Sequence, residues 1–259
     1  MYNFHSDGDR YFEIQKLNCK ENVIPFIEEV YAVKCGTRVL EIGCGSGGVL
    51  SAFIERGCIG AGIDIREESI GFAKEKIADN KDVILLVKDI YDVDVEECLN
   101  GKFDIIILKD VIEHLPDKER LMKQLKRFVS DKGVIFFGFP PWQMPFGGHQ
   151  QMLQSRILSR MPYFHLLPMP VYKYIMRIFG DYSEELVEIK NTGISIEQFE
   201  RIAKKVGFVI IKRQLHLINP IYKYKLGLKK RLQYGFISAI PFVCNFFTTS
   251  VFYIIKPNK

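Results

Sequence analysis

Three features predict a doubly wound α/β fold, a mostly parallel sheet with helices on both faces. Short β-rich apolar runs alternate with segments of helical length. A glycine-rich loop follows the first run and opens a helix. At 259 residues, 47% hydrophobic and 26% charged, the chain can bury a sizeable core and is too polar for a polytopic membrane protein.

The runs are 39–42, 59–65, 83–87, 103–108 and 134–139. Continuous short apolar runs of this kind read as parallel strands buried on both faces. Segments 47–56, 67–78 and 117–129 lie between them with helical spacing, as with Leu121, Leu125 and Phe128. Only a short helix fits in 91–100. After the fifth run the pattern breaks at FPPWQMPFGGHQQ, whose prolines and glycines exclude a helix or central strand. The helical pattern resumes at Ser195, an N-cap whose capping box Gln198 completes, and leads into the strand-like FVIIKRQLHLI. The organisation expected is one domain over 1–259: an N-terminal cap at 1–36, a ligand-binding core at 37–139, an insertion at 140–194, and a C-terminal helix, strands and basic segment at 195–259.

Charge is unevenly placed. Residues 201–259 hold twelve Lys or Arg and no Asp or Glu, leaving 24 basic and 31 acidic residues before them, a net of +12 against −7. Residues 236–255 carry no charge, long enough for a membrane span. Pro241, Asn245, Thr248, Thr249 and Ser250 suit lipid poorly, so the reading is a loop or short helix entering a final core strand, TSVFYII. The six cysteines form no C-x-x-C pair and no zinc-like spacing with histidine, so no metal site is expected. Free thiols and a polar, acidic N-terminus point to a cytoplasmic location.

The loop VLEIGCGSGG carries the chemistry. Gly43 and Gly45 let the backbone turn with positive φ and approach a ligand closely. Gly43, Gly45 and Gly48 also fit the G-x-G-x-x-G spacing of NAD enzymes, so an oxidoreductase remains an alternative on the loop alone. Glu41 argues against it: a carboxylate there repels a pyrophosphate and suits a cofactor bearing an ammonium and a sulfonium, such as S-adenosylmethionine. Asp64 ends the second strand where its oxygens can take both ribose hydroxyls. Asp89 ends the third, within reach of an adenine amino group.

VLEIGCGSG, GIDI, VKDI and FDIIILKDVIEHLPD occur in an order that resembles the class I S-adenosylmethionine-dependent methyltransferase family over about residues 37–139. The resemblance implies a Rossmann-like seven-stranded sheet with an antiparallel last strand, TSVFYII, beside FVIIKRQLHLI. It also implies that Glu41, Gly43, Cys44, Gly45, Gly47, Asp64, Ile65, Asp89, Ile90 and the backbone near Lys109 line the cofactor pocket.

Methyl transfer from a sulfonium needs no acid for its neutral leaving group, and a base only for a weakly acidic hydroxyl. Positioning supplies most of the rate. His149, in the Pro/Gly-rich loop past the fifth strand, is the leading base candidate. His114 is the second catalytic candidate, with a pocket-shaping role as the plainer reading. His165 has a more apolar setting. FPPW departs from the Asp/Asn-Pro-Pro-aromatic motif of amino-group DNA methyltransferases, with Phe139 first and the fifth strand before it, and reads as a pocket wall.

Trp142, Phe146, Tyr163, Phe164, Tyr172 and Tyr174 favour a small or amphipathic acceptor, lipid, quinone or glycan-like, and equally suit packing of the insertion. O-methylation of such an acceptor is expected. The stretch IYKYKLGLKKRLQYGF has three readings: contact with an anionic membrane surface, RNA methylation through phosphate contacts and stacking, or a solvated basic face. Nucleic acid is the least favoured.

Overall fold

The computed structural model describes residues 7–77 and 83–258. Five parallel strands follow the apolar runs: β1 (Arg38–Ile42), β2 (Ile59–Asp64), β3 (Ile84–Val87), β4 (Phe103–Lys109) and β5 (Val129–Phe139). β6 (Phe208–Ile218), β7 (Arg231–Leu232) and β8 (Ser250–Pro257) complete one sheet in the order β3-β2-β1-β4-β5-β8-β6-β7. β8 runs antiparallel between β5 and β6. The sheet has eight strands where seven are expected. The addition is the two-residue β7, which pairs with the end of β6 through His216 and Ile218 as the basic segment folds back along that edge.

Alternation along the central strands builds two cores. Ile105 and Ile107 of β4 pack with Phe136, Phe252 and Ile254 on one face, while Ile106 and Leu108 join Phe137, Phe139 and Tyr253 on the other. Each such side chain, wholly buried, contributes about 1.5–3 kcal/mol by removing apolar surface from water.

The helices follow local chemistry. Asp7 caps α1 (Gly8–Asn18) by accepting from the Arg10 amide. Pro25 lacks the N–H that a continuous helix needs, and the chain widens over Cys19–Val23, where the Ile24 amide reaches back to Cys19, before α2 (Ile24–Glu28). α3 (Gly48–Ile54) follows β1, and α4 (Glu67–Ile77) follows β2. Ala78, expected at the end of α4, lies outside the described residues. α5 (Val95–Leu99) is the short helix that its gap allows, with Asp94 as its cap. α6 (Lys118–Phe128) starts at the Asp117 cap and passes directly into β5, which is longer than its apolar run.

The insertion contains α7 (Met169–Ile178) and α8 (Glu184–Thr192), neither of them anticipated, around a small core with Leu158, Phe164, Tyr172 and Met176. Ser195 caps α9 (Ile196–Val206) as expected, accepting from the Gln198 amide. α10 (Tyr222–Leu226), α11 (Gly235–Ser238) and α12 (Val243–Phe246) are single turns that lead into β8. Among the described residues no helix is long and apolar enough to cross a membrane. The uncharged stretch is thus short helix and core strand.

Candidate active site

The sheet reverses its strand order between β1 and β4, so a crevice opens beyond their carboxyl ends. The glycine loop forms its floor. Gly43 and Cys44 donate to the Ile63 carbonyl at 2.8 and 3.1 Å. At Gly43, with φ +68°, an added Cβ would stand 2.5 Å from Val111 Cγ2. Gly45, with φ +50°, is different: a Cβ there would point into open space, 3.9 Å from the Arg66 guanidinium. One side of the loop is packed and the other is free to receive a ligand.

Two buried carboxylates hold this floor. Glu41 Oε2 accepts from the Leu50 amide at 2.9 Å. Burial pushes its pKa up to about 8, against the pull of the Leu50 amide and Lys109. Asp64 accepts from the Gly45 amide on Oδ2 at 2.8 Å and from the Arg66 amide on Oδ1 at 2.9 Å. Each oxygen keeps a second lone pair for a ribose hydroxyl. The Gly45 and Leu50 amides, near which a pyrophosphate would sit, are already engaged by acids. This floor fits an adenosyl sulfonium and opposes a dinucleotide.

The other predicted cofactor residues divide. Asp89 is exposed and caps the turn Ile90–Asp92, accepting from the Tyr91 amide at 3.0 Å. Ile65 is 73% exposed at the rim, whereas Ile90 is in the core. The Cys44 thiol is buried behind the loop, and burial raises its pKa. A Cβ on Gly47 would meet Ile77 Cδ1 at 2.8 Å, so that glycine lets α3 begin against α4.

At the end of β4 the Lys109 ammonium, almost wholly buried, pairs with Asp110. Burial opposes ionisation of Asp110, but Lys109 outweighs it and holds the carboxyl below its ordinary range. Asp110 adopts φ +57° and donates its amide to the Gly138 carbonyl at 2.7 Å, strapping β4 to β5. Glu113 is buried with Oε2 unpartnered. Burial and the Asp110 charge drive its pKa well up.

The rings of His114 and His149 lie 4.8 Å apart between centroids. Surrounding protein and His149 press the pKa of His114 down to about 4. Burial lowers that of His149, with Asp110 pulling the other way. One ligand-type atom each of Glu113, His114 and His149 falls within 4.8 Å of the others. Such a group can pass a proton and has the donors a divalent cation accepts. Sequence spacing shows no such set, because the loop carrying His149 and the turn carrying Glu113 and His114 meet only in the fold.

Beside His149, a cavity of about 20 Å³ is lined by Glu113, Pro140, Pro141, Trp142, Gly193 and others. That is room for about one water, so only the reacting end of an acceptor fits. Of FPPW, Pro140, Pro141 and Trp142 wall this cavity, whereas Phe139 is buried in the core. Of the predicted aromatics, Trp142 lines it, Phe164 and Tyr172 pack the core of the insertion, and Phe146 and Tyr174 are exposed. His165 is fully buried and its Nε2 bonds the Trp142 carbonyl at 2.6 Å, so it orders the insertion. A larger cavity of about 220 Å³ opens at the amino ends of β1, β2 and β3. Its Arg38 is engaged by the carbonyls of Leu99, Asn100 and Lys102.

Tyr11 and Lys225 feel the charges of Lys109 and Asp110, and Tyr222 that of Asp110, a proximity that the sequence does not signal. Ile14 and Ile221 pack α10 onto α1, bringing Lys225 to 5.2 Å from the Tyr11 ring. Burial raises the pKa of Tyr11, with the charges of Lys109 and Asp110 also acting on it. Burial also lowers that of Lys225, which feels the same pair. Part of the basic segment is therefore near the Lys109–Asp110 pair at the end of β4.

Residues 21–213 match the methyltransferase domain family. A ubiquinone biosynthesis O-methyltransferase of Coxiella burnetii is 30% identical over 122 residues, 44% of this chain and 47% of that protein. The enzyme of the same description from Neisseria meningitidis is 31% identical over 108 residues, 41% and 45% of the two chains. The chain thus spans just under half the length of these relatives. Among solved structures, the plantazolicin methyltransferase BpumL with S-adenosylhomocysteine (SAH) and an analog bound aligns at TM-score 0.62 and 14% identity, covering 99% of this chain and 90% of that one. A putative sarcosine dimethylglycine methyltransferase from Galdieria sulphuraria aligns at 0.61 and 12% identity, covering 93% and 86%. At these identities the likeness establishes the fold.

Proposed function

The chain belongs to the methyltransferase domain family, and on that footing we propose that it methylates a hydroxyl oxygen of a small or amphipathic acceptor with His149 as base. It is an S-adenosylmethionine-dependent enzyme, and the oxidoreductase alternative falls with that assignment. The partial relatives, named for ubiquinone biosynthesis, favour a quinone-type ring as the acceptor.

When bound, the cofactor supplies an electrophilic methyl whose leaving group departs uncharged. Asp64 would take the ribose hydroxyls, Glu41 would face the ammonium, and Asp89 would accept from the adenine amino group. The backbone around Gly45 permits close approach. Trp142 and the two prolines exclude water from the reacting oxygen.

The observation that carries the oxygen assignment is His149, a half-buried histidine beside a small apolar-walled cavity and a second imidazole. Burial keeps it neutral near pH 7. A ring nitrogen of His149 accepts the hydroxyl proton as the oxygen takes the methyl, and His114, at the mouth, faces solvent. The test uses methyl-labelled cofactor with paired ring acceptors that differ only in bearing a hydroxyl or an amine. Label recovered as a methyl ether is expected. Label found only on the amine overturns the assignment.

A further inference from the structure

The segment that follows the basic stretch turns a set of aromatic side chains outward. Phe236 is 71% exposed, Phe242 67%, and Ile240, Val243, Phe246 and Phe247 are all well exposed. Scattered surface apolar residues need no explanation, but six within residues 236–247 do.

The patch is built on a fixed polar base. Asn245 is buried and donates to both oxygens of Glu197 at 3.1 and 2.9 Å, and Glu197 also accepts from the Phe242 amide at 2.7 Å. Gln233 Nε2 donates to the Phe247 carbonyl at 2.6 Å. Phe242 has φ +63° and ψ −45°, with the Val243 amide bonded to the Pro241 carbonyl at 2.7 Å. That is the rare γ-turn of positive φ, unfavourable for a bulky residue. The surrounding bonds hold an aromatic side chain in a strained turn and present it to solvent.

We propose that this face, formed by α11, α12 and the turn between them, docks on an anionic lipid bilayer. Phe236 and Phe242 enter the boundary between headgroups and acyl chains, and Lys229 and Arg231 meet the lipid phosphates. Charge complementarity selects this occupant: both cations are exposed on the adjoining stretch, residues 201–259 contain no acid, and Glu197 beneath the turn is engaged by Asn245 and the Phe242 amide. The adjoining stretch also brings Tyr222 and Lys225 near Asp110 at the end of β4. A docked enzyme thereby keeps its site at the lipid surface, which deepens the amphipathic-acceptor reading and rests on it.

The test is flotation of the full chain with phosphatidylcholine vesicles, with and without about 30% phosphatidylglycerol. Binding to the anionic vesicles only is expected. A cation near a charged surface is worth about 1 kcal/mol, or about fivefold in partitioning, so Lys229→Glu with Arg231→Glu should lose well over tenfold. Phe236→Ser with Phe242→Ser should lose binding to a similar extent while keeping SAH affinity, which shows that the fold survives. Absence of flotation, equal binding to neutral vesicles, or undiminished binding by the serine variant overturns the proposal. So does a lipid-free dimer that the serine variant abolishes, since the face would then bind a second copy. Methyl transfer to a water-soluble hydroxyl acceptor, assayed without lipid, reports separately on the proposed function.

Discussion

His114 and His149 bring their rings to 4.8 Å between centroids from two different loops, one after β4 and one after β5. The pair places a proton acceptor beside the cavity with a more exposed imidazole next to it. His149→Ala should lower turnover by about 10²- to 10⁴-fold, the range for a lost general base, and leave SAH affinity unchanged in a calorimetric titration. Because burial depresses the pKa of His149, the base form persists below the ordinary histidine range. The acid limb of the wild-type rate profile should lie below that range and vanish in the variant.

Glu41 gives a second dependence on pH. Its folded-state pKa, about 8 through burial, is above the unfolded value near 4.3. The folded protein therefore holds this proton more tightly, and the associated stability is complete below about pH 4.3 and lost as pH rises through about 8. Glu41→Gln should raise the Tm at pH 8.5 and change it little at pH 5, as read by calorimetry of the ligand-free protein. At pH 8.5, where the Glu41 carboxylate is largely ionised, the same substitution should weaken cofactor binding, because Gln offers no charge to an ammonium, and the effect should shrink as pH falls below about 8.

Asp64 holds the Gly45 and Arg66 amides, and on the proposed function it would also take the ribose hydroxyls. Asp64→Ala should weaken SAH binding by about 1.5–3 kcal/mol through lost ribose contacts and a loosened loop. Asp64→Asn should do little better, since its amide nitrogen would face a backbone N–H donor at Gly45 or Arg66. Isothermal titration of both variants checks this.

Gly43 and Gly45 should respond differently to alanine. Both have positive φ, costing about 1–2 kcal/mol for any L side chain. At Gly43 the new methyl also meets Val111 at 2.5 Å, so chemical denaturation should show the larger loss of stability there. At Gly45 the methyl enters the open cradle, so Gly45→Ala should lose cofactor affinity out of proportion to its stability.

The central sheet was legible because its strands are apolar on both faces. Ile105 to Leu108 and Phe136 to Phe139 are continuous apolar runs, and no other element explains such runs in a chain this polar. The loop from Gly43 to Gly47 was legible for a local reason, since positive φ restricts a position largely to glycine. Ser195 announced its helix by the same kind of local chemistry, and the structure shows Asp94 and Asp117 capping theirs in the same way. The aromatic insertion read less well: Phe164 and Tyr172 face inward and Trp142 faces the cavity, a choice that packing makes and composition does not reveal.

Sequence by itself determined which runs become the strands, the Ser195 cap and the glycine loop, because each depends on residues close along the chain. Tertiary structure alone decided that Glu41 is buried with a raised pKa, that Lys225 lies beside the Tyr11 ring, and that His114 meets His149. Those properties depend on desolvation and on contacts between segments distant along the chain, and no periodicity or spacing encodes either.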